Sequence, residues 1–293
     1  MVEQLGLIGC GLMGGSFALA LREAGAVRRI VGHSRARASA ERALALGAID
    51  AVAGSPGEAA RGSDLVLLAV PVSATGPTLR ALRDTLEPRA LCMDVGSTKR
   101  DVAEAAAHEL GERAQQFVPA HPIAGKERAG VEHADARLYR DRLVVLTPGA
   151  GHDPALLQRA RSIWQAVGAQ VLEMEPRAHD RAFAAVSHLP HLLAYAFFES
   201  VAQQPDGAAL LDLAGPGFRD FTRIAAGEPA MWRDILLANR DELRRQAAAF
   251  RAALDGLEAL LEAGDGAALR ARLAAVAQRR GAWRMRGSAE AGD

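Results

Sequence analysis

The chain holds only two cysteines, Cys10 and Cys92, among 293 residues. One falls inside a glycine-rich turn and the other inside an apolar, strand-like run. A structural disulfide is therefore not expected, and a reducing compartment fits. Lysine is as scarce: Lys99 and Lys126 are the only two. Net charge is absent too, with 35 basic residues against 35 acidic ones. No overall field draws nucleic acid or an anionic membrane, so neither is expected as a partner, and an anionic ligand must be held by a local group of arginines. No run approaches the roughly 18 apolar residues of a membrane span, and the N-terminus lacks the basic leader and apolar stretch of a signal peptide. The cytoplasm is the expected location. Fixed-period repeats and low-complexity linkers are missing as well.

What is present is ordinary for a globular protein, 49% hydrophobic and 24% charged, in a chain long enough for two cores. Strands are predicted at 6–8, 29–32, 65–69, 91–94, 116–119 and 143–146. Helical patterns at 12–24, 37–46, 73–86 and 101–110 separate them, and a helix at 154–167 with a strand at 170–174 completes the unit. This alternation predicts a parallel sheet with right-handed crossovers. Beyond residue 175 the pattern is helical only, at 181–203, 208–213, 216–226, 230–261 and 267–279, with a bend expected near Gly256. The expected fold class is α/β: a Rossmann-type, mostly parallel sheet over 1–175, then an all-helical domain over 176–283 and a disordered tail over 284–293. Long apolar helical faces point to a homodimer through the helical domain.

The stretch "QLGLIGCGLMGGS" spaces Gly9, Gly11 and Gly14 between a strand and a helix, the context that a dinucleotide-binding turn requires. Gly9 permits the tight turn, Gly11 lets a pyrophosphate approach the backbone, and Gly14 lets helix and strand pack closely. Leu12 and Met13 complete the turn, and Val70 and Pro71 follow the strand expected beside it. NAD sites usually place an acid about 20 residues beyond the first glycine to bond the ribose. Here no acid occurs between Glu23 and Glu41, and Ser34, Arg35 and Arg37 stand in its place. A hydroxyl and a guanidinium suit a 2′-phosphate, so NADP is the preferred cofactor, with NAD as the alternative.

Candidate chemistry sits at strand ends, where open α/β sheets hold their ligands. Ser97, in "MDVGSTK", can bond a substrate oxygen or cap the helix that follows. His121, in "PAHPIAGKERAG", is a natural acceptor for an alcohol proton. Lys126 and Glu127 lie in the loop beyond it. His188 and His191 are three apart, on one helical face, and read as neutral donors around a polar substrate. No acidic or sulfur ligand accompanies them at suitable spacing, so no metal is expected. Arg219 and Arg223, four apart, suit an anion with separated carboxylates, although Asp220 offers Arg219 a salt bridge instead.

Taken in order, "GLIGCGLMGGS", "DVGSTK", "HPIAGKE", "SHLPH" and "DFTRIA…MWRDI" resemble the prephenate/arogenate dehydrogenase family of tyrosine biosynthesis, from about residue 5 to 282. The resemblance implies oxidative decarboxylation of prephenate or arogenate, with hydride passing to the nicotinamide. It implies His121 as proton acceptor, oriented together with the substrate hydroxyl by Ser97. Arg223 would hold a carboxylate of the dianionic substrate, His191, His188 and Arg219 would line the pocket, and Glu127 would belong to its rim. Two other classes share parts of the pattern. Hydroxyacid and imine dehydrogenases commonly use a catalytic lysine in the helical half, which has none here. A non-enzymatic NADP-binding redox sensor would leave the histidines and arginines without a purpose.

Overall fold

The computed structural model describes residues 1–126, 128–149 and 151–284. β1 (Val2–Ile8) leads through the glycine turn into α1 (Leu12–Glu23), followed by β2 (Val27–His33), α2 (Arg37–Ala45) and β3 (Ala51–Val52). Then come α3 (Pro56–Ala60), β4 (Leu65–Leu68), α4 (Thr75–Leu82), β5 (Leu91–Asp94), α5 (Arg100–Leu110) and β6 (Phe117–Val118). All six strands are parallel, in the order β3-β2-β1-β4-β5-β6. The order reverses between β1 and β4, and such a reversal leaves a crevice at the carboxyl ends of the strands. Both faces of the sheet are covered. Leu65 and Leu67 join a core with Phe17, Leu21 and Trp164, while Val66 and Leu68 join the opposite core with Leu79, Leu82 and Val102. That is why β4 is an unbroken apolar run, and each such side chain contributes about 1.5–3 kcal/mol on burial. β3 and α3, two and five residues long, have too little periodicity to be read from sequence.

The runs at 143–146 and 170–174 do not extend this sheet. After β6 the chain passes Pro119, which has no N–H to continue a ladder, and β7 (Ala120–Pro122) turns away. β7 pairs antiparallel with β8 (Leu143–Leu146), and β8 pairs parallel with β9 (Gln170–Glu173). His121, expected just past a strand end, therefore lies within β7, opposite Val145. α6 (Pro154–Ala166), between β8 and β9, fixes this second sheet to α1. Its Trp164 ring lies 4.9 Å from Phe17 and 5.3 Å from Tyr139, whose hydroxyl donates to the Met13 carbonyl at 2.7 Å.

From α7 (Pro176–Phe183) onward every described element is helical: α8 (Leu189–Ala202), α9 (Gly207–Asp212), α10 (Pro216–Thr222), α11 (Pro229–Ala238), α12 (Arg240–Glu262) and α13 (Gly266–Ala282). The helix expected over 181–203 is interrupted by a π turn at 184–188. Pro190 cannot donate to the Val186 carbonyl, and the helix widens there. The helix expected over 216–226 ends at Thr222 and tightens to a 3-10 turn, Arg223–Ala226. The long helix breaks at Asn239, not near Gly256, through which α12 runs unbroken. Gly256 serves the crossing of α13 instead, because a Cβ there would stand 2.7 Å from the Arg272 guanidinium. Residues 285–293 of the expected tail lie outside the described residues. Among the described residues, no helix is long and apolar enough to cross a membrane.

Candidate active site

The glycine turn forms a cradle at the β1–β4 reversal. Gly9 has φ 102°, and a Cβ there would stand 2.1 Å from the Ala69 carbonyl oxygen. A Cβ on Gly14 would stand 2.1 Å from the Gly9 oxygen, whereas one on Gly11 would meet nothing within 4 Å. Gly9 and Gly14 close the turn, and Gly11 opens onto free space. Gly11 caps α1 without a side-chain hydrogen bond, so the first amides of α1 remain available to an anion. Leu12, Met13 and Val70 are half-buried beside this opening, with Pro71 exposed. These features suit a dinucleotide pyrophosphate.

At the end of β2 the Ser34 hydroxyl accepts from the Cys10 N–H at 2.9 Å, tying the turn to the next strand. Its own proton is left to donate. Arg35 is exposed, while Arg37 pairs with Glu41 at 2.8 Å on its own helix. Of the two guanidiniums, only Arg35 lacks a partner on α2.

A buried clamp places β7. Asp94, at the end of β5, accepts from the Ala120 N–H at 2.9 Å and the Gly96 N–H at 2.8 Å, and it pairs with the Lys99 ammonium. Lys99 in turn donates to the Ala120 carbonyl at 2.8 Å. Both peptide groups of the residue before His121 are thus held by one fully enclosed ion pair. Breaking such a pair typically costs about 3–5 kcal/mol, because one charge is left uncompensated.

His121 is held from behind. Its Nδ1 donates to His179 Nε2 at 2.8 Å, and His179 Nδ1 donates to the Asp180 carboxylate at 2.8 Å. The order of protons follows from the acceptor-only carboxylate. Asp180 fixes His179 with its proton on Nδ1, so His179 Nε2 can only accept, and His121 must place its own proton on Nδ1. His121 Nε2 is left as a bare lone pair. Burial, with His179, Lys99 and His188 nearby, holds the His121 imidazole well below the usual histidine range, so it is neutral and basic in form. Burial opposes ionisation of Asp180, but His179 and the Arg100 and Lys99 N–H groups outweigh it and keep the carboxyl below its usual range. Those two amides, at 3.0 and 2.8 Å, show that Asp180 caps α5. Ser97, half-buried just before, does not serve as that cap and keeps its hydroxyl for other work.

The helical half supplies a second wall. His191 stacks on Trp232, with ring centroids 3.5 Å apart, and His188 lies 6.4 Å from the same ring. His191 Nδ1 donates to the Ser187 carbonyl at 2.9 Å, so the neutral ring presents an acceptor at Nε2, not the donor expected of it. Burial and the nearby Arg223 lower its affinity for a proton. Arg223 itself sits in the 3-10 turn, which is held against α8 by the Tyr195 hydroxyl on the Gly227 carbonyl at 3.0 Å. Arg219, four residues earlier on α10, is exposed and paired with Asp220 at 3.1 Å. Lys126 is tied to Asp135 at 3.1 Å and to the His133 carbonyl, as a loop charge. Glu127 lies outside the described residues. Among the described residues no group of three or more His, Cys, Asp or Glu side chains could hold a metal ion.

Sequence reasoning missed Asp94, Lys99, His179, Asp180 and Asn239. One signal for two of them was present: His179 and Asp180 share the buried stripe of α7 with Phe183, where apolar residues would be expected.

A phosphate-binding turn at the reversal of a parallel sheet, with an oriented imidazole lone pair at its second sheet, defines the class: a two-domain dinucleotide-dependent dehydrogenase. Residues 17–173 match the family model for the nucleotide-binding domain of prephenate dehydrogenase, and residues 175–275 match that for its dimerization domain. The chain belongs to the prephenate dehydrogenase family. It is 37% identical over 245 residues to the prephenate dehydrogenase of Bacillus subtilis, covering 83% of this chain and 66% of that one, just under two thirds of its length. It is 33% identical to the cyclohexadienyl dehydrogenase of Zymomonas mobilis over 90% of each chain. The crystal structure of the Aquifex aeolicus prephenate dehydrogenase, in complex with hydroxyphenyl propionate and NAD+, superposes with a TM-score of 0.89 at 35% identity, covering 96% of this chain and 97% of that one.

Proposed function

We propose that this chain catalyses the oxidative decarboxylation of prephenate, of arogenate, or of both, yielding 4-hydroxyphenylpyruvate or tyrosine. The observation that carries the reading is the bare Nε2 of His121, fixed by His179 and Asp180. His121 takes the proton of the ring hydroxyl, and the Ser97 hydroxyl orients that oxygen. Arg223 meets a carboxylate of the dianion, and the Nε2 of His191 is an acceptor that the amine of arogenate, but not the ketone of prephenate, can serve. His188 supports the same wall, Arg219 supplies a weaker second cation, and Glu127 belongs to the rim. Loss of carbon dioxide makes the ring aromatic, so the protein needs chiefly orientation and one proton acceptor.

The cofactor is a nicotinamide dinucleotide, which when bound accepts the hydride. Gly9, Gly11, Gly14, Leu12 and Met13 would hold its pyrophosphate, with Val70 and Pro71 beside it. NADP is the preferred form, supported by the exposed Arg35 and the donor left on Ser34, at a position with no acid to bond a ribose. The protein works as a cytoplasmic homodimer. Support for the dimer is the set of apolar side chains exposed on the helical half, among them Phe197, Phe198, Phe221, Leu254, Leu273 and Val276. Steady-state rates with prephenate and arogenate, each with NADP and with NAD, test the reading. Turnover of at least one substrate, faster with NADP, is expected; no turnover of either overturns it.

A further inference from the structure

His188 and Asn239 are buried and joined to each other behind the site. Asn239 is 1% exposed and sits at the break between α11 and α12. Its Nδ2 lies 2.7 Å from the Asp180 carbonyl and 3.1 Å from His188 Nδ1. A carbonyl can only accept, so the amide must turn its nitrogen toward both groups. His188 Nδ1 then faces a donor and must be a bare lone pair. The neutral ring therefore carries its proton on Nε2. That Nε2 is enclosed and has no hydrogen-bond partner among the described residues, and the Ser97 backbone lies beside the ring. Donors aimed at catalytic groups are commonly long until the site is filled.

We propose that Asn239 is a positioning residue: it locks His188 as the Nε2–H tautomer, whose proton supports the Ser97 peptide and so aims the Ser97 hydroxyl. The two terminal rings then carry opposite tautomers, His121 fixed by His179 and Asp180 and His188 fixed by Asn239. His121 offers a lone pair and His188 offers a proton. Burial keeps His188 neutral, its affinity for a proton lowered to about pH 4 against the pull of Asp180 and with His179 and His191 as the other titrating neighbours. The inference rests on the role given to Ser97 above, but the tautomer itself does not.

The test is nitrogen NMR of the full chain labelled with 15N-histidine, combined with kinetics on prephenate and NADP. In the wild type, His188 should show a protonated Nε2 and a bare Nδ1, unchanged from pH 8 down to about pH 5. In Asn239→Asp, the carboxylate accepts from His188 Nδ1, so the proton should move there or the ring become doubly protonated near neutrality. Turnover should then fall by about tenfold, with cofactor affinity retained. A wild-type His188 protonated on Nδ1, or an Asn239→Asp chain with the tautomer and turnover of the wild type, overturns the proposal. Should Asn239→Asp fail to fold, His188→Gln, which keeps a neutral donor, is compared with His188→Leu. Equal turnover in the two overturns the role of the donor. The spectra need no substrate, so a wrong substrate assignment would leave the tautomer result standing.

Discussion

His121 Nδ1 lies 2.8 Å from His179 Nε2, and this contact determines which nitrogen of His121 can receive a proton. The contact has a single polarity only because Asp180 occupies the far side of His179. Exchanging Asp180 for asparagine keeps a carbonyl to cap α5 but removes the charge that fixes the His179 proton. Asp180→Asn should lower turnover on the order of 10², part of the usual contribution of a general base, with cofactor affinity unchanged. Unchanged turnover in a folded variant would remove the relay from the account.

Three of these buried histidines also set how stability depends on pH. In the unfolded chain each protonates near 6.5, whereas burial holds His121, His179 and His188 lower in the folded chain, His188 at about 4. Between those values the unfolded state binds more protons, so acid favours it. Stability is complete above about pH 6.5 and falls as pH drops toward 4, by up to about 1.4 kcal/mol per pH unit for each such group. Urea midpoints measured across this window should fall, and His188→Leu should flatten the slope. A midpoint that is level or rises between pH 6.5 and 5 contradicts the burial argument.

Arg223 is a cation whose charge reaches His191. Arg223→Gln should weaken substrate binding by roughly 1.5–3 kcal/mol, the scale of a hydrogen bond to a charged group, which is a rise in KM of about tenfold or more. Arg219→Gln, at an exposed pair, should have a smaller effect. An unaltered KM in Arg223→Gln would count against the carboxylate role.

The proposed preference for NADP rests on Arg35. Arg35→Ala should raise KM for NADP by about tenfold while leaving NAD little changed, since only the former carries a phosphate at the ribose. Equal losses for the two cofactors would remove the 2′-phosphate argument.

How much of this was legible in the sequence depended on distance along the chain. The glycine turn announces itself because Gly9, Gly11 and Gly14 act within six residues on local backbone geometry. His121 and Ser97 stand near strand ends, which apolar runs mark well. The clamp of Asp94 and Lys99 on Ala120 spans two strands that belong to different sheets, and the change of sheet at Pro119 was not visible as a break in the apolar pattern. Asp180 meets α5 from about 80 residues away, so a local reading could offer only Ser97 as a cap. The bend was expected at Gly256 because glycine weakens helices, but the chain breaks where Asn239 finds two buried partners. Tertiary hydrogen bonding, not local propensity, decided it.

The central claim is that His121 accepts the substrate proton in an oxidation that consumes prephenate or arogenate. The most direct test measures formation of reduced cofactor by the wild type and by His121→Asn, with both substrates, alongside binding of the cofactor. Wild-type turnover of at least one substrate is expected, with a loss of about 10²–10⁴ in His121→Asn and cofactor affinity intact. Equal turnover in the two chains, or none by the wild type with either substrate, would contradict it.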